Sequence, residues 1–177
     1  MSVVAFKKGH MEVKAHTWDR SLGGRDLDDV LITHFAAEFK VKTGLDIHGN
    51  GKAMFRMGSA VEKCRQMLTV NPEAPIAVEC LMNDLDFRSH ITRELFETLA
   101  APVLQRVMAP CQSALEVAGI KVEDISSVEM VGAASRTPSI VSTVQQFFGM
   151  EPKRYAKLSP LIFSHGMSYG YLTVAMV

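Results

Sequence analysis

The stretch Val128-Glu129-Met130-Val131-Gly132-Ala133-Ala134-Ser135-Arg136-Thr137-Pro138 has the composition of a short strand, a tight turn of small residues and the start of a helix. Thr137 is predicted to cap that helix, and Pro138 suits its first position, because proline lacks an N–H that would have no partner there. At such a junction a ligand can approach the backbone closely, and the helix N-terminus favours polar or anionic groups. Taken alone, the pattern occurs more often in packing than in ligand binding.

A second candidate element is the helix predicted over Lys52–Thr69. One face of this helix is apolar, with residues three and four positions apart: Met54, Met57, Val61, Cys64 and Leu68. The other face carries a carboxylate, a guanidinium, an amide and a hydroxyl, from Glu62, Arg65, Gln66 and Thr69. Their spacing of i, i+3, i+4 and i+7 puts them on one side of a helix, where they could hydrogen-bond a ribose and a purine edge. The commoner alternative is the ordinary solvated face of an amphipathic helix.

The rest of the chain alternates between strand and helix patterns, which indicates one α/β domain or one lobe of a larger one. Helices are predicted over Asp26–Lys42, with Asp26 as the cap, over Thr92–Leu99, and in pieces that end at Gly119. A last helix follows Pro138. The predicted strands are Ser2–Phe6, Met11–His16, Ile76–Cys80, Met82–Phe87, Val128–Val131 and the strand-like end Tyr171–Val177.

Composition narrows the functional classes. Among 177 residues, Lys+Arg and Asp+Glu each number 19, so the net charge is zero and gives no electrostatic case for nucleic acid or for an anionic membrane surface. The three cysteines lack the spacing of a zinc site or a disulfide framework, which favours reduced thiols in a cytoplasmic protein. We expect no signal peptide and no membrane span from the apolar pattern.

Sequence motifs do not assemble a catalytic set. Gly49-Asn50-Gly51-Lys52 is not a phosphate loop, because Ala53 stands where the Ser or Thr that binds magnesium would be. No nucleophile elbow accompanies the serine, histidine and aspartate residues.

Several segments taken together resemble the Hsp70 superfamily, in matching order over roughly residues 1–150. Leu22–Asp28, His34–Phe39, Val61–Thr69 and Val131–Pro138 are similar to four of its motifs, and the last two to the helix and the loop that contact adenosine. Three further segments, Ser2–Phe6, Met67–Asn71 and Glu79–Asp86, resemble the Hsp110 branch.

The resemblance implies an actin-like ATPase fold (ribonuclease H-like), of which this chain would be a fragment of lobe II. The implied architecture is a mixed sheet with flanking helices plus an outer α+β subdomain. Residues 1–150 would form this lobe, with the outer subdomain at about 26–110 and inner pieces at 1–25 and 111–150. Residues 151–177 depart from the family and form a divergent tail.

The resemblance also implies a nucleotide site and a role in protein folding. By position, Glu62 and Arg65 would bind the ribose hydroxyls, Thr69 would reach the adenine edge, and Arg136 would stack on the purine. Gly132, Ala133 and Ala134 would line the backbone approach, and Gln66 stands where the family commonly has a second stacking arginine.

These matches predict a weak adenosine half-site for ATP or ADP in an Hsp70/Hsp110-type chaperone. The family's phosphate-binding elements do not align with this sequence, so we expect neither bound Mg²⁺ nor ATP hydrolysis by this chain alone. The alternative is a non-enzymatic interaction module, a co-chaperone and nucleotide-exchange partner of Hsp70. A third hypothesis is a gene fragment with no stable role of its own.

Overall fold

The computed structural model describes residues 1–8, 10–132, 134–154 and 171–175, and it is a mixed α/β structure. The chain divides into two compact units. One unit combines Met1–Gly23 with Val103–Val177, and the other is the continuous segment Gly24–Pro102. The second unit ends several residues before the limit of about 110 predicted for the outer subdomain.

Two helices and a hairpin build the continuous unit. Helix α1 covers Gly24–Thr43 and helix α2 covers Gly51–Leu68, and both lie within two residues of their predicted bounds. Asp26 does not cap α1: the helix already begins at Gly24, so the carboxylate lies inside the first turn. The α2 cap is Asn50, whose side-chain oxygen accepts from the Lys52 and Ala53 N–H groups at 3.1 Å each.

Strands β3 (Glu73–Met82) and β4 (Leu85–Thr92) form an antiparallel hairpin. The predicted strand Met82–Phe87 is wrong, because the chain turns at Asn83 and Asp84. Both residues have positive φ, 50° and 56°, which is the geometry of a two-residue turn that matches the twist of a hairpin. The hairpin packs Phe87 edge-on against Phe35 and Phe39 of α1, with ring centroids 5.9 Å apart in each pair.

Helix α3 runs from Arg93 to Arg106 and is longer than the predicted segment that ended at Leu99. Thr92 caps it as predicted, since its hydroxyl accepts from the Leu95 N–H at 3.3 Å. Pro102 lies inside this helix. Helix α4 covers Met108–Ala118 and ends, as predicted, at Gly119, whose φ of 66° is the left-handed conformation that glycine adopts readily.

The other unit contains a five-stranded mixed sheet in the order β2-β1-β7-β5-β6. Its strands are β1 (Ser2–Lys7), β2 (His10–His16), β5 (Val128–Val131), β6 (Lys153–Arg154) and β7 (Tyr171–Ala175). β7 pairs antiparallel with β1 and parallel with β5, so the strand predicted at the end of the chain is confirmed over these residues. The tail residues Leu161–Gly170 lie outside the described residues. Helix α5, Pro138–Phe148, follows β5 as predicted.

Across the described residues, no helix has the length and apolar character required to cross a lipid bilayer.

Candidate functional site

The turn between β5 and α5 is held by hydrogen bonds among its own residues. Gly132 has a φ of 114°, a backbone conformation that residues other than glycine rarely adopt. Its carbonyl oxygen accepts from the Ser135 hydroxyl at 2.6 Å and from the Ser135 N–H at 3.2 Å. A single 3-10 turn, Ala134–Arg136, then leads into the helix. The predicted strand, small-residue turn and helix start are all confirmed.

The side chains of this turn divide by exposure. Ala134 and Ser135 are buried, whereas Arg136 is exposed. The buried Ala134 methyl contributes to packing, and a role of this residue in lining the approach to a ligand stays a prediction. Ala133 lies outside the described residues.

Two hydroxyls at the start of α5 are buried without a hydrogen-bond partner among the described atoms. They are the Oγ1 of Thr137, a residue only 2% exposed, and the Oγ of Ser139. Thr137 occupies the N-cap position, but its side chain makes no capping bond, contrary to the role predicted for it. Buried hydroxyls usually find a partner, so this helix start retains unused hydrogen-bonding capacity.

On α2, Arg65 is the residue whose surroundings depart most from the predicted solvated face. It is 5% exposed, and its Nε and Nη2 donate to the two carboxylate oxygens of Asp28 at 2.6 and 3.3 Å. Asp28 lies in α1, so the ion pair joins the two helices. The planar guanidinium favours this two-bond arrangement with a carboxylate.

The other three residues of the polar face remain accessible. Glu62 and Gln66 are exposed, and the Gln66 amide donates to the Glu62 carboxylate at 3.3 Å. The Thr69 hydroxyl donates to the Gln66 carbonyl at 2.7 Å, and its oxygen can still accept a second bond. This surface therefore offers a carboxylate, an amide and a hydroxyl to a ligand.

The predicted site residues thus form two groups, one in each unit. Glu62, Arg65, Gln66 and Thr69 lie together on α2, and Gly132, Ala134 and Arg136 lie together between β5 and α5. That the two groups share one nucleoside pocket stays a prediction. Sequence reasoning missed Asp28 as the partner of Arg65. An ion pair between residues 37 positions apart leaves no signature in local spacing.

Carboxylates, histidines and cysteines do not gather into a metal site within the described segments, where no three of them come together.

Comparison with known proteins identifies the family. The model of the family described as "Hsp70 protein" matches residues 1–157. The chain belongs to the Hsp70 family. The match includes both groups of predicted site residues, α2 and the β5–α5 turn, within one family domain.

Similar proteins of this Hsp70-family chain are heat shock proteins. Heat shock 70 kDa protein 14 of Arabidopsis thaliana is 44% identical over 160 residues, which is 90% of this chain and 19% of the relative. Heat shock protein hsp88 of Neurospora crassa is 43% identical over 150 residues, 85% of this chain and 21% of the relative. A heat shock protein homolog of Saccharomyces cerevisiae is 40% identical over 148 residues, 84% of this chain and 21% of the relative.

The chain therefore spans about a fifth of the length of these relatives. The resemblance to the Hsp70 superfamily, with its Hsp110-type members, is confirmed, and the relatives named here are heat shock proteins.

Proposed function

We propose that this chain is a lobe II part of the ATPase domain of an Hsp70/Hsp110-type chaperone and that it binds the adenosine portion of ATP or ADP weakly, without turnover of its own. The observation that supports this most is the family match across residues 1–157, which includes the β5–α5 turn with its positive-φ glycine. A Cβ-free position at that point lets the backbone approach a nucleoside closely.

In this proposal the ligand groups differ in availability. Glu62 and Thr69 are accessible on α2 for the ribose and the adenine edge, and exposed Arg136 supplies a planar cation for stacking on the purine. Arg65 offers little to a ribose, because its side chain is only 5% exposed and two of its five N–H groups already donate to Asp28. The half-site is consequently weaker than the four-residue set that sequence alone predicts.

In this proposal, contacts to the phosphates and to Mg²⁺ contribute little to the binding affinity. The residues of this chain do not match the family's phosphate-binding elements, so adenosine, ADP and ATP are expected to bind similarly. Each 1.4 kcal/mol of lost interaction weakens binding about tenfold, which places the half-site at low affinity. We also propose a cytoplasmic location, because the three cysteines are free thiols.

Titration calorimetry with adenosine and with ATP tests the proposal. We expect saturable heat with both ligands at millimolar concentration, and little change when Mg²⁺ is added. Arg136→Ala should weaken adenosine binding about fivefold, since it removes a cation–π contact. Arg20→Ala, a change at an exposed arginine in the same unit, is the matched control and should bind like the parent. Absence of heat with both ligands would reject the half-site.

A second candidate is the interaction module, a nucleotide-exchange partner of Hsp70. The burial of Arg65 against Asp28 favours it, because this pairing withdraws a predicted nucleoside ligand. Capture of a full-length Hsp70 by the immobilised chain would distinguish the two candidates. Binding that is independent of nucleotide and unchanged in Arg136→Ala supports the module, whereas nucleotide-dependent capture supports the half-site.

A further inference from the structure

The continuous unit carries a groove between helix α2 and strand β3 that the nucleoside proposal does not use. Its volume is about 710 Å³. The helix side is formed by residues spaced along one flank, including Phe55, Ser59, Lys63 and Met67, and the strand side by Pro75 to Cys80. Phe55 is 77% exposed, an unusual state for so large an apolar side chain.

Two arginine side chains form hydrogen bonds to backbone carbonyls, one at each end of this groove. Arg56 of α2 donates to the Cys80 carbonyl of β3. At the opposite end, Arg93 donates to the carbonyls of Leu68 and Asn71 at 2.9 Å each, and so fixes the connection from α2 into β3. Charge-assisted bonds therefore brace α2 against β3 at Cys80 and hold the connection between them.

The strand side of the groove presents an open sheet edge. In the described part of the chain, β3 pairs with β4 alone. The Pro72 carbonyl accepts from the Arg93 N–H at 2.7 Å, and hydrogen-bonded pairs alternate along an antiparallel ladder. The backbone groups of Ala74, Ile76 and Val78 therefore face β4, and those of Pro75 and Ala77 face the groove.

An open edge beside a helix suits an extended peptide, which adds as a further strand and places alternate side chains against the helix. Pro75 has no N–H, so it restricts pairing to the segment around Ala77 and opposes unlimited edge-to-edge association. Among the lining residues that α2 contributes, Lys63 is basic and exposed. Met67 and Ala60 add apolar surface beside it.

We propose that the α2–β3 groove binds an extended peptide segment of another protein, in which every second side chain faces α2 and these side chains are apolar, acidic and apolar in turn. The peptide pairs with the β3 edge at Ala77, its carboxylate meets Lys63, and its apolar side chains contact Met67 and Phe55. This site lies within one unit and requires no nucleotide, so it stands or fails independently of the adenosine half-site.

Fluorescence anisotropy of the full 177-residue chain, without nucleotide, tests the groove. The probe is a fluorescein-labelled peptide of about seven residues, Ser-Val-Ser-Glu-Ser-Val-Ser, whose valines and glutamate share one face of a strand, and we expect saturable binding below about 1 mM. The same peptide with lysine in place of glutamate, and a version with N-methylated backbone amides, should both bind at least several-fold more weakly. Equal binding of all three peptides, or of none, would overturn the proposal.

Substitutions in the groove then test whether the peptide binds there. Lys63→Glu should weaken the glutamate peptide about threefold, as expected for an exposed charge contact, and Lys52→Glu on the same helix is its control. Ala77→Pro removes an edge N–H and should weaken binding about fivefold, whereas Ala77→Ser keeps the N–H and should not. Thermal melts verify folding, and Lys63→Glu keeps the test decisive if Ala77→Pro does not fold.

Two further results would count against a peptide site. Unchanged affinity in folded Lys63→Glu and in folded Ala77→Pro would overturn it. So would sedimentation that shows dimers of this chain, dispersed by Ala77→Pro, together with no peptide binding, since the edge would then pair with a second copy.

Discussion

The three cysteines differ in their exposure and therefore in their expected reactivity. Cys64 and Cys111 are buried, and desolvation raises the pKa of each thiol to about 11. Cys80 is exposed. Because the thiolate is the reactive form, we expect one rapid equivalent with a chromogenic disulfide reagent at about pH 8 and two more only after unfolding. Cys80→Ser should abolish the rapid phase. Rapid reaction of more than one thiol in the native chain would contradict this burial pattern.

Arg65 and Asp28 make a buried ion pair whose loss should be costly. Arg65→Met leaves the Asp28 carboxylate without its partner, at 18% side-chain exposure, and should lower the free energy of unfolding by about 3 kcal/mol. Urea denaturation measures this change. Lys63→Met, at an exposed position of the same helix, is the matched control and should change stability by less than about 0.5 kcal/mol.

The double variant Asp28→Leu with Arg65→Met separates a lost charge partner from lost volume. Replacing both members of a buried pair with apolar side chains is often near neutral, so the double variant should recover most of the loss. If Arg65→Met were as stable as the control, the ion pair would have no structural role, and Arg65 would again be available for ribose.

For single residues, the sequence predicts the helix face on which a side chain lies better than it predicts the burial of that side chain. The 3-4 spacing placed Glu62, Arg65 and Gln66 on the polar side of α2, and Glu62 and Gln66 are indeed exposed. Arg65 is buried because α1 approaches that side of the helix with an aspartate. Periodicity within one helix carries no information about the neighbour that will cover it.

Among the elements, the connector between α1 and α2 depends on one carboxylate. Asp46 accepts from the His48 backbone N–H at 3.0 Å, from the His48 ring at 2.8 Å and from Lys40 at 2.9 Å. These bonds, that of the His48 backbone first, hold the pKa of Asp46 well below its usual value near 4.

The lowered pKa gives a pH-dependent prediction. A carboxyl group with a depressed folded-state pKa stabilises above its unfolded pKa and loses that contribution as the pH falls below about 4. Asp46→Asn should therefore lower the melting temperature at about pH 7, and the gap to the parent should narrow at about pH 3. Asp29→Asn, at an exposed position of α1, serves as the control. A gap that stays constant with pH would contradict the role of the ionised carboxylate.

Helices and strands were predicted correctly where neighbouring residues determine their ends. The prediction failed at a turn that lacks the usual glycine. The bounds of α1, α2 and α5 follow from apolar spacing and from end signals such as Gly119 after α4. The β3–β4 turn was misplaced, because Asn83-Asp84 lacks the glycine that usually marks two positive-φ residues. The helix predicted to end at Leu99 continues to Arg106, past Pro102, although proline usually breaks a helix interior.

For the molecule as a whole, the continuity of Gly24–Pro102 has a testable meaning. This unit has its own buried residues, among them Phe35, Phe39, Phe87 and Phe96, each at most 1% exposed. We expect the excised segment 24–102 to melt cooperatively and to keep Cys64 unreactive with thiol reagents. Phe87→Ala in that segment should abolish the transition or lower its midpoint strongly, because it removes a ring packed against two others. A non-cooperative melt of the parent segment would show that it depends on the remaining chain.

Sheet order was beyond local sequence patterns. Each strand of the mixed sheet except β6 was predicted, but β7 lies between β1 and β5, and no spacing rule forecasts that placement. The family resemblance supplied the class of fold and the two groups of site residues, since motif order reflects ancestry and not local propensity.

The sheet order has a consequence for synthesis on the ribosome. Ser2 pairs with Thr173, so β1 cannot complete this pairing until β7 has been made, far later in the chain. Chains are made at about 5–20 residues per second, and contacts between distant segments form late. During that interval the nascent β1–β2 hairpin presents an unsatisfied edge while residues 24–102 can already fold. The open edge of this hairpin is thus exposed to unwanted strand pairing until β7 has been made.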